Sequence, residues 1–384
     1  MTHSEYQQLN YRKLGFEAVY LASCALNDVV PEWDPAEKLD DLFRFCKFHS
    51  ITAIVAMALD SYWKEHPAEP QVMKPWLQAR DKAIRKNIML NAERERILGF
   101  LESIGCRYLP LKGSLLQHDY PRFGMRQMSD NDILCDPEKL EQIHEFMLQS
   151  GYTCELYNQG NHDEYTRQPV YNFEIHRSLF KPETAPKLAA YYADILERAE
   201  KNPDKNYGYR MSRDDFYIYL IAHAHRHFVV SGIGIRNLMD VYVYLNRYGS
   251  QLNWAYIENE LRELDAWEFE RWCNRLSGLL MEIPSRNPAI SRSDLEILDA
   301  FFASGTFGTE QQLFRNSMKS SGSKVWHFLR RMFPSRELLG VMHPSVRKHG
   351  WLVPFVWIYR LVISLIKRPG RVFRELKNIL SSEK

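Results

Sequence analysis

Apolar residues recur at helical spacing through the first hundred residues. Leu42, Phe45, Cys46, Ile51, Ile54, Val55 and Leu59 carry the pattern, and Pro31, Pro35, Pro67 and Pro70 bracket it. A longer helix fits residues 76–104, which are rich in Ala, Arg, Lys, Glu and Leu. Gly105 suits its end, because glycine readily takes the left-handed conformation that follows a helix. At Cys106 the period changes. Short strand-like runs occupy 107–111, 132–135, 152–157 and 171–176, and a helix over 137–149 separates two of them. Such mixing predicts a small α/β unit. From Ala185 the pattern is helical again, with segments at 213–228, 234–248, 254–264 and 266–280; Asn287, Pro288 and residues 305–308 read as breaks. The expected division is 1–104 helical, 105–182 mixed core, 183–323 helical and 324–384 a tail. No repeat and no low-complexity tract is visible.

Composition adds little until it is resolved along the chain. Hydrophobic residues are 45% and charged residues 26%, ordinary for a globular protein, and the net charge is +2. That balance does not mark the whole chain as a nucleic-acid binder. Residues 324–384, however, hold 13 Lys and Arg against 3 Asp and Glu, a net of +10, while the rest carries −8. Within the tail, residues 351–366 are apolar except for Arg360 and Ser364, and basic residues flank them. Three readings of the tail stand: a packed C-terminal helix with a solvated basic face, a peripheral membrane contact through Trp351, Trp357 and Tyr359, or a grip on nucleic acid. The run is shorter than the ~20 residues that span a bilayer. Six scattered cysteines without a C-x-x-C pair, and a polar start without an apolar signal core, lead to the expectation of a cytoplasmic protein.

The chemistry is concentrated in Leu111-Lys112-Gly113-Ser114 and Ser129-Asp130-Asn131-Asp132. On a strand, residues two apart share a face, so Asp130 and Asp132 can converge on one cation or a pair. Two-metal phosphoryl transfer needs such carboxylates. Glu174 alternates with apolar Phe173 and Ile175, so it faces away from the core and can supply the third carboxylate. Gly113 and Ser114 sit at a strand-to-helix turn whose backbone N–H groups can bind phosphate.

With these residues in this order, the chain resembles the uncharacterised nucleotidyltransferases of the DNA polymerase beta superfamily. Their pattern is L-K-G, Tyr-x-x-x-x-x-Arg, D-x-D, then E-x-H; here it is met by Lys112-Gly113, Tyr120, Arg126, Asp130, Asp132, Glu174 and His176. Fifteen residues between Ser114 and Asp130, and Asn131 in place of an apolar residue, depart slightly from that pattern without removing a carboxylate. Downstream, residues 221–227 with three histidines and the Arg236-x-x-x-Asp240 segment continue the resemblance, and related abortive-infection toxins carry a similar Arg/Asp segment. The tail, with Phe333-Pro334-Ser335, continues it further.

The resemblance implies an α+β fold: a small mixed-sheet nucleotidyltransferase core flanked by N- and C-terminal helical domains. It implies Mg²⁺ or Mn²⁺ on Asp130, Asp132 and Glu174, and a nucleoside triphosphate on Lys112, Gly113, Ser114 and Arg126. Transfer of a nucleotidyl group to an acceptor would release pyrophosphate. The acceptor stays open among a protein side chain, a tRNA end, a small molecule, a peptide and a glycan. Two other readings are a non-catalytic NTP-binding or scaffold protein that retains the fold, and a toxin-like enzyme acting on tRNA.

Individual residues keep alternatives. Lys112 is a strand-end surface lysine or a phosphate ligand. Arg126 contacts phosphate, or pairs with a metal-site carboxylate. His176 is a general base or, as favoured here, holds Glu174 in place. Arg236 and Asp240 share a helix face as an ion pair or as part of the cleft. Of His223, His225 and His227, only the first and last share a face, a poor basis for a zinc site.

Overall fold

Gly105 terminates the long second-quarter helix as its position predicts: its φ is +66°, and Cys106 N–H turns back to donate to Leu101 O at 3.0 Å. The computed structural model that shows this describes residues 3–32, 39–155 and 157–306. Before Gly105 come α1 (His3–Leu26), α2 (Leu39–Phe48), α3 (Thr52–Glu65) and α4 (Pro70–Ser103). The apolar period over residues 42–59 thus belongs to two helices, with Ser50 at φ +53° turning the chain between them. α4 begins six residues earlier than the sequence pattern indicates. Proline is tolerated in the first helical turn, where its missing N–H is no loss.

The mixed unit follows: β1 (Tyr108–Pro110), the single turn α5 (Gly113–Leu116), β2 (Asn131–Cys135), α6 (Leu140–Gln149), β3 (Thr153–Cys154), β4 (His162–Arg167) and β5 (Tyr171–His176). The five strands run in the order β1-β2-β5-β4-β3. β2 and β5 are parallel, and the other neighbours antiparallel. This is the small mixed sheet of an α+β fold. Four strands match the apolar runs in the sequence; β4 does not. Its buried positions are Asp163 and Tyr165, and Asp163 is paired with Arg177 rather than packed as an apolar side chain. A strand whose inward positions are partly charged leaves no hydrophobic alternation to read.

One face of the sheet is apolar. Ile133, Phe173, Ile175 and Tyr165 pack with Leu90, Ile97 and Leu101 of α4 and Ile143 and Met147 of α6. Alternation sends Asp132, Glu174, His176 and His162 to the other face.

The remaining helices are α7 (Pro186–Tyr191), α8 (Ile195–Arg198), α9 (Arg213–Val230), α10 (Arg236–Tyr248), α11 (Trp254–Glu263), α12 (Trp267–Met281) and α13 (Arg292–Ser304). The helices before and after the sheet build one hydrophobic core, from Leu14 through Trp63 to Phe302, instead of two separate domains. Ser23 of α1 and Asn27 just past its end both donate to Met281 O, at 3.0 and 2.7 Å, and Arg12 meets Asp299 at 2.6 Å. Sequence distance hides this closure, because the apolar faces of both sets are alike. No helix among the described residues is long and apolar enough to cross a membrane. The basic tail 324–384, with its expected membrane or packing role, lies outside the described residues, as does the end of the 183–323 segment.

Candidate functional site

The turn between β1 and α5 carries the first site residue. Lys112 has φ +43°, a left-handed conformation that costs a non-glycine residue about 1–3 kcal/mol, and its carbonyl accepts from Leu115 and Leu116 N–H. This places its ammonium 3.3 Å from Asp132 Oδ2. Burial alone would lower the Lys112 pKa, but Asp132, Tyr219, Asp130 and Glu174 together outweigh it and hold the group charged. Of the three carboxylates singled out by the sequence, Asp132 is the one within ion-pair distance of this ammonium, and the charges of Asp130 and Glu174 act on it from further away.

Asp132 and Glu174 are register partners on the parallel strands β2 and β5. His176 Nε2 lies 3.1 Å from Asp132 Oδ1 and 3.3 Å from Glu174 Oε2. Two carboxylate acceptors face that nitrogen, so it is the protonated one, and the imidazole ties the two acids together. Burial would depress the His176 pKa; the two carboxylates more than offset it and raise it. Burial would likewise raise Asp132, yet Lys112 and the His176 hydrogen bond hold that carboxyl well below the usual range. Glu174 goes the other way, pushed up by burial and by the Asp132 charge. Asp130, just before β2, accepts from Ser129 Oγ at 3.1 Å.

The remaining predicted residues lie close by with different partners. Ser114 is 2% exposed and its hydroxyl donates to Leu111 O at 2.7 Å, so the side chain closes the turn. A Cβ on Gly113 would stand 2.3 Å from Arg126 Nη1. Glycine is needed there because the arginine passes directly beneath. Arg126 itself is committed to Asp240, through Nε at 2.8 Å and Nη2 at 2.9 Å, and Tyr120 OH donates to the same carboxylate at 2.7 Å. Arg126 thus joins the loop before β2 to α10 and pairs with none of Asp130, Asp132 and Glu174. The expected Arg236–Asp240 ion pair is absent: Arg126 and Tyr120 occupy that carboxylate, and Arg236 Nη1 donates instead to Gln127 O at 3.1 Å.

Sequence reasoning missed two neighbours. Lys86 on α4 donates to Ser129 O at 3.2 Å, and the Asp130 charge acts on it. Among the described residues neither Lys86 nor Arg236 has a carboxylate within 4 Å, and Arg236 Nε is buried without a partner. Both cations lie within range of Asp130. A lysine inside a polar helix gives no signal in sequence. The second neighbour is His162, whose ring centroid lies 4.9 Å from that of His176 and whose Nε2 is 3.7 Å from Glu174 Oε2. It opens the strand that carries no readable alternation.

α9 reaches this site through Tyr219, which is hydrogen-bonded to Lys112. His223 and His227 share a side, with Nε2 atoms 3.2 Å apart, while His225 packs against Phe269. Burial and the Lys112 charge hold both His223 and His227 low, His227 to about 4. They are neutral imidazoles beside the carboxylates, and no third metal donor joins them among the described residues.

The site's composition fits a divalent cation. Asp132 and Glu174 are adjacent oxygen donors whose mutual repulsion raises Glu174, and a cation between them would relieve it. Oxygen donors of this kind suit Mg²⁺ or Mn²⁺, and Asp130, one residue before β2, is a further carboxylate in the same segment. Among the described residues one group of three such donors comes together, His162, Glu174 and His176, whose ligand atoms lie within 4.8 Å of one another. His176 is already spent on holding both acids, so the carboxylates remain the better donors.

A family model described as an uncharacterised nucleotidyltransferase matches residues 35–281, which contain every one of these side chains. No curated protein and no solved structure matches the chain.

Proposed function

The chain belongs to the uncharacterised nucleotidyltransferase family, and from that membership we propose that it transfers a nucleotidyl group from a nucleoside triphosphate to an acceptor hydroxyl, releasing pyrophosphate. The observation that carries the reading is the Asp132–Glu174 register pair, with Lys112 and His176 both on Asp132. Two acids side by side, with a lysine and a histidine on one of them, form the kind of charged cluster that sites handling cations and phosphates use.

Asp130, Asp132 and Glu174 would hold Mg²⁺ or Mn²⁺. When bound, such an ion would supply positive charge against the triphosphate. The protein's own residues do the rest. Lys112, Lys86 and Arg236 neutralise the polyphosphate, since the latter two carry no carboxylate of their own. Glu174 accepts the proton of the acceptor hydroxyl. His176 keeps Asp132 and Glu174 at a fixed separation, and the Arg126–Asp240–Tyr120 cluster fixes the loop before β2 against α10.

The test uses the full chain. Each labelled NTP is titrated with Mg²⁺, with Mn²⁺ and with a chelator, and labelled products are then sought in a cell extract. Divalent cation is expected to strengthen NTP binding, and Asp132→Asn to remove that enhancement. Binding equally tight in the presence of chelator overturns the reading.

A further inference from the structure

Asp130 stands one residue before β2, at the end of the strand ladder and not within it. Its carboxylate accepts from the adjacent Ser129 Oγ, and among the described residues no cation lies within 4 Å of it. Where this carboxylate stands is therefore decided by the backbone on either side.

That backbone is held in an uncommon way. Residues 126–129 belong to no helix or strand, and among the described residues they take part in no backbone–backbone hydrogen bond. Buried main-chain groups are nearly always paired, and here side chains do the pairing. Asn87 Nδ2 on α4 donates to Arg126 O at 2.9 Å, and Met128 N–H donates to Asn87 Oδ1 at 3.3 Å. Lys86 Nζ donates to Ser129 O at 3.2 Å, and Arg236 Nη1 to Gln127 O at 3.1 Å. Asn87 is fully buried, and both ends of its amide meet main chain, so it acts as a strand partner would. A flipped amide would set oxygen against Arg126 O and N–H against Met128 N–H, so the two bonds also fix which way it points.

α4 holds the far side of Asp130 as well. Arg94 Nη1 donates to Asn131 Oδ1 at 3.1 Å, and both residues are buried. From Asn87 to Arg94 the helix rises about 10 Å. The three steps from Met128 to Asn131 cover about 10 Å of extended chain. The lengths match, so the segment that carries Asp130 runs alongside α4 with a hold at each end.

We propose that Asn87 is a positioning residue for the metal site: it sets the Asp130 carboxylate where it shares a divalent cation with Asp132 and Glu174. The inference rests on the nucleotidyltransferase reading above and adds to it a buried amide outside the carboxylate cluster. Groups that build such a site must be held within about 0.5 Å of their working position. Ser129 moves with the same backbone as Asp130, so it supplies no external hold. Without Asn87, Arg126 O and Met128 N–H lose their partners, and the segment shifts to find others. Asp132 stays in place, because β5 pairs with it and Leu111 N–H donates to its carbonyl at 3.0 Å. The loss therefore falls on Asp130.

The experiment titrates the full chain with Mn²⁺ alone and reads bound ion by electron paramagnetic resonance. Asp132→Asn identifies the part of the signal that belongs to the site. Asn87→Leu fills the space without either hydrogen bond. Asn87→Ala is the milder change, since it leaves room for water, and it serves if leucine disturbs the fold. Leu101→Ala is the control: it removes a fully buried side chain from the same helix and the same core, about 20 Å further along. The expected loss of Mn²⁺ affinity in Asn87→Leu is about 10–100-fold, the range for residues that hold metal ligands in place, with a smaller loss in Asn87→Ala. Leu101→Ala should melt at lower temperature and keep wild-type Mn²⁺ affinity, which a merely structural role for Asn87 would not predict. Circular dichroism melts show which variants are folded. Wild-type affinity in a folded Asn87→Leu, or in Asn87→Ala if the leucine variant is unfolded, overturns the positioning role and leaves the metal site standing; so does an equal loss in Leu101→Ala. Wild type that binds no Mn²⁺ sensitive to Asp132→Asn overturns the underlying reading and the role of Asn87 with it.

Discussion

Arg126 and Asp240 meet through two hydrogen bonds of 2.8 and 2.9 Å, although they lie 114 residues apart. Both are buried, and Tyr120 adds a third bond to the same carboxylate. Removing one partner of a buried pair strands the other charge, which costs about 3–5 kcal/mol. Asp240→Ala is expected to lose stability on that scale in urea denaturation. The double variant Arg126→Met with Asp240→Leu should lose much less than the sum of the single changes. Additive losses would show that the two side chains are energetically independent.

Gly113→Ala is expected to be destabilising even though alanine is the better helix former. Its methyl group would stand 2.3 Å from Arg126 Nη1, and the guanidinium is held from the far side by Asp240. Overpacking of this kind costs about 1–3 kcal/mol. In an Asp240→Asn background, where the arginine is held less tightly, the same substitution should cost less, and thermal melts of the four proteins check this.

The carboxylates should separate in kinetics. Asp132 is held ionised by Lys112 and His176, whereas Glu174 is raised and stands one strand further along the sheet, on β5. Glu174→Gln is expected to keep metal-stimulated NTP binding and to lose turnover by roughly 10²–10⁴-fold, the usual contribution of a positioned proton acceptor. Loss of NTP binding in that variant would assign Glu174 to the donor side.

Lys86→Met and Arg236→Met are each expected to weaken NTP and inorganic triphosphate binding by about 10–100-fold, since a hydrogen bond to a charged group contributes about 1.5–3 kcal/mol. Nucleoside binding should be unaffected. Isothermal titration with triphosphate alone makes the distinction, and unchanged affinity would leave these cations with a purely structural role beside Asp130.

A pH dependence of stability follows from His49. It is fully buried; its Nδ1 accepts from Ile235 N–H at 3.4 Å, so Nε2 is the nitrogen that donates to Phe302 O at 3.1 Å. Burial pulls its pKa down to about 3. An unfolded histidine protonates near pH 6.5, so below that pH the unfolded state binds the extra proton and stability falls as pH drops toward about 3. Between pH 6.5 and 5 this contributes a loss of about 2 kcal/mol, at about 1.4 kcal/mol per pH unit. His49→Gln should be less stable at pH 7 but show a shallower acid dependence; equal slopes would contradict a neutral buried His49.

The elements and the sheet face that carries Asp132 and Glu174 were legible in the sequence because each has a local cause. Helical period placed α9, α10, α11 and α12 within a few residues, and strand alternation put Phe173 and Ile175 in the core and Glu174 opposite them. The i, i+2 spacing of Asp130 and Asp132, with Lys112 upstream, marked the face where Lys112 and His176 now meet Asp132. What local pattern could not supply was the choice of partners. Asp240 lies one helical turn from Arg236, yet it pairs with Arg126, which reaches it through two hydrogen bonds while Tyr120 adds a third and Arg236 turns to Gln127 O. β4 stayed hidden because its inward Asp163 is neutralised by Arg177, a residue beyond the next strand. Lys86 and His162 were brought to the site by packing alone, and the N- and C-terminal helices share one core because their apolar faces find each other only after the chain has folded. Sequence fixes which groups are available and which face of an element they occupy; which buried charges meet is settled by the global packing that excludes water around them.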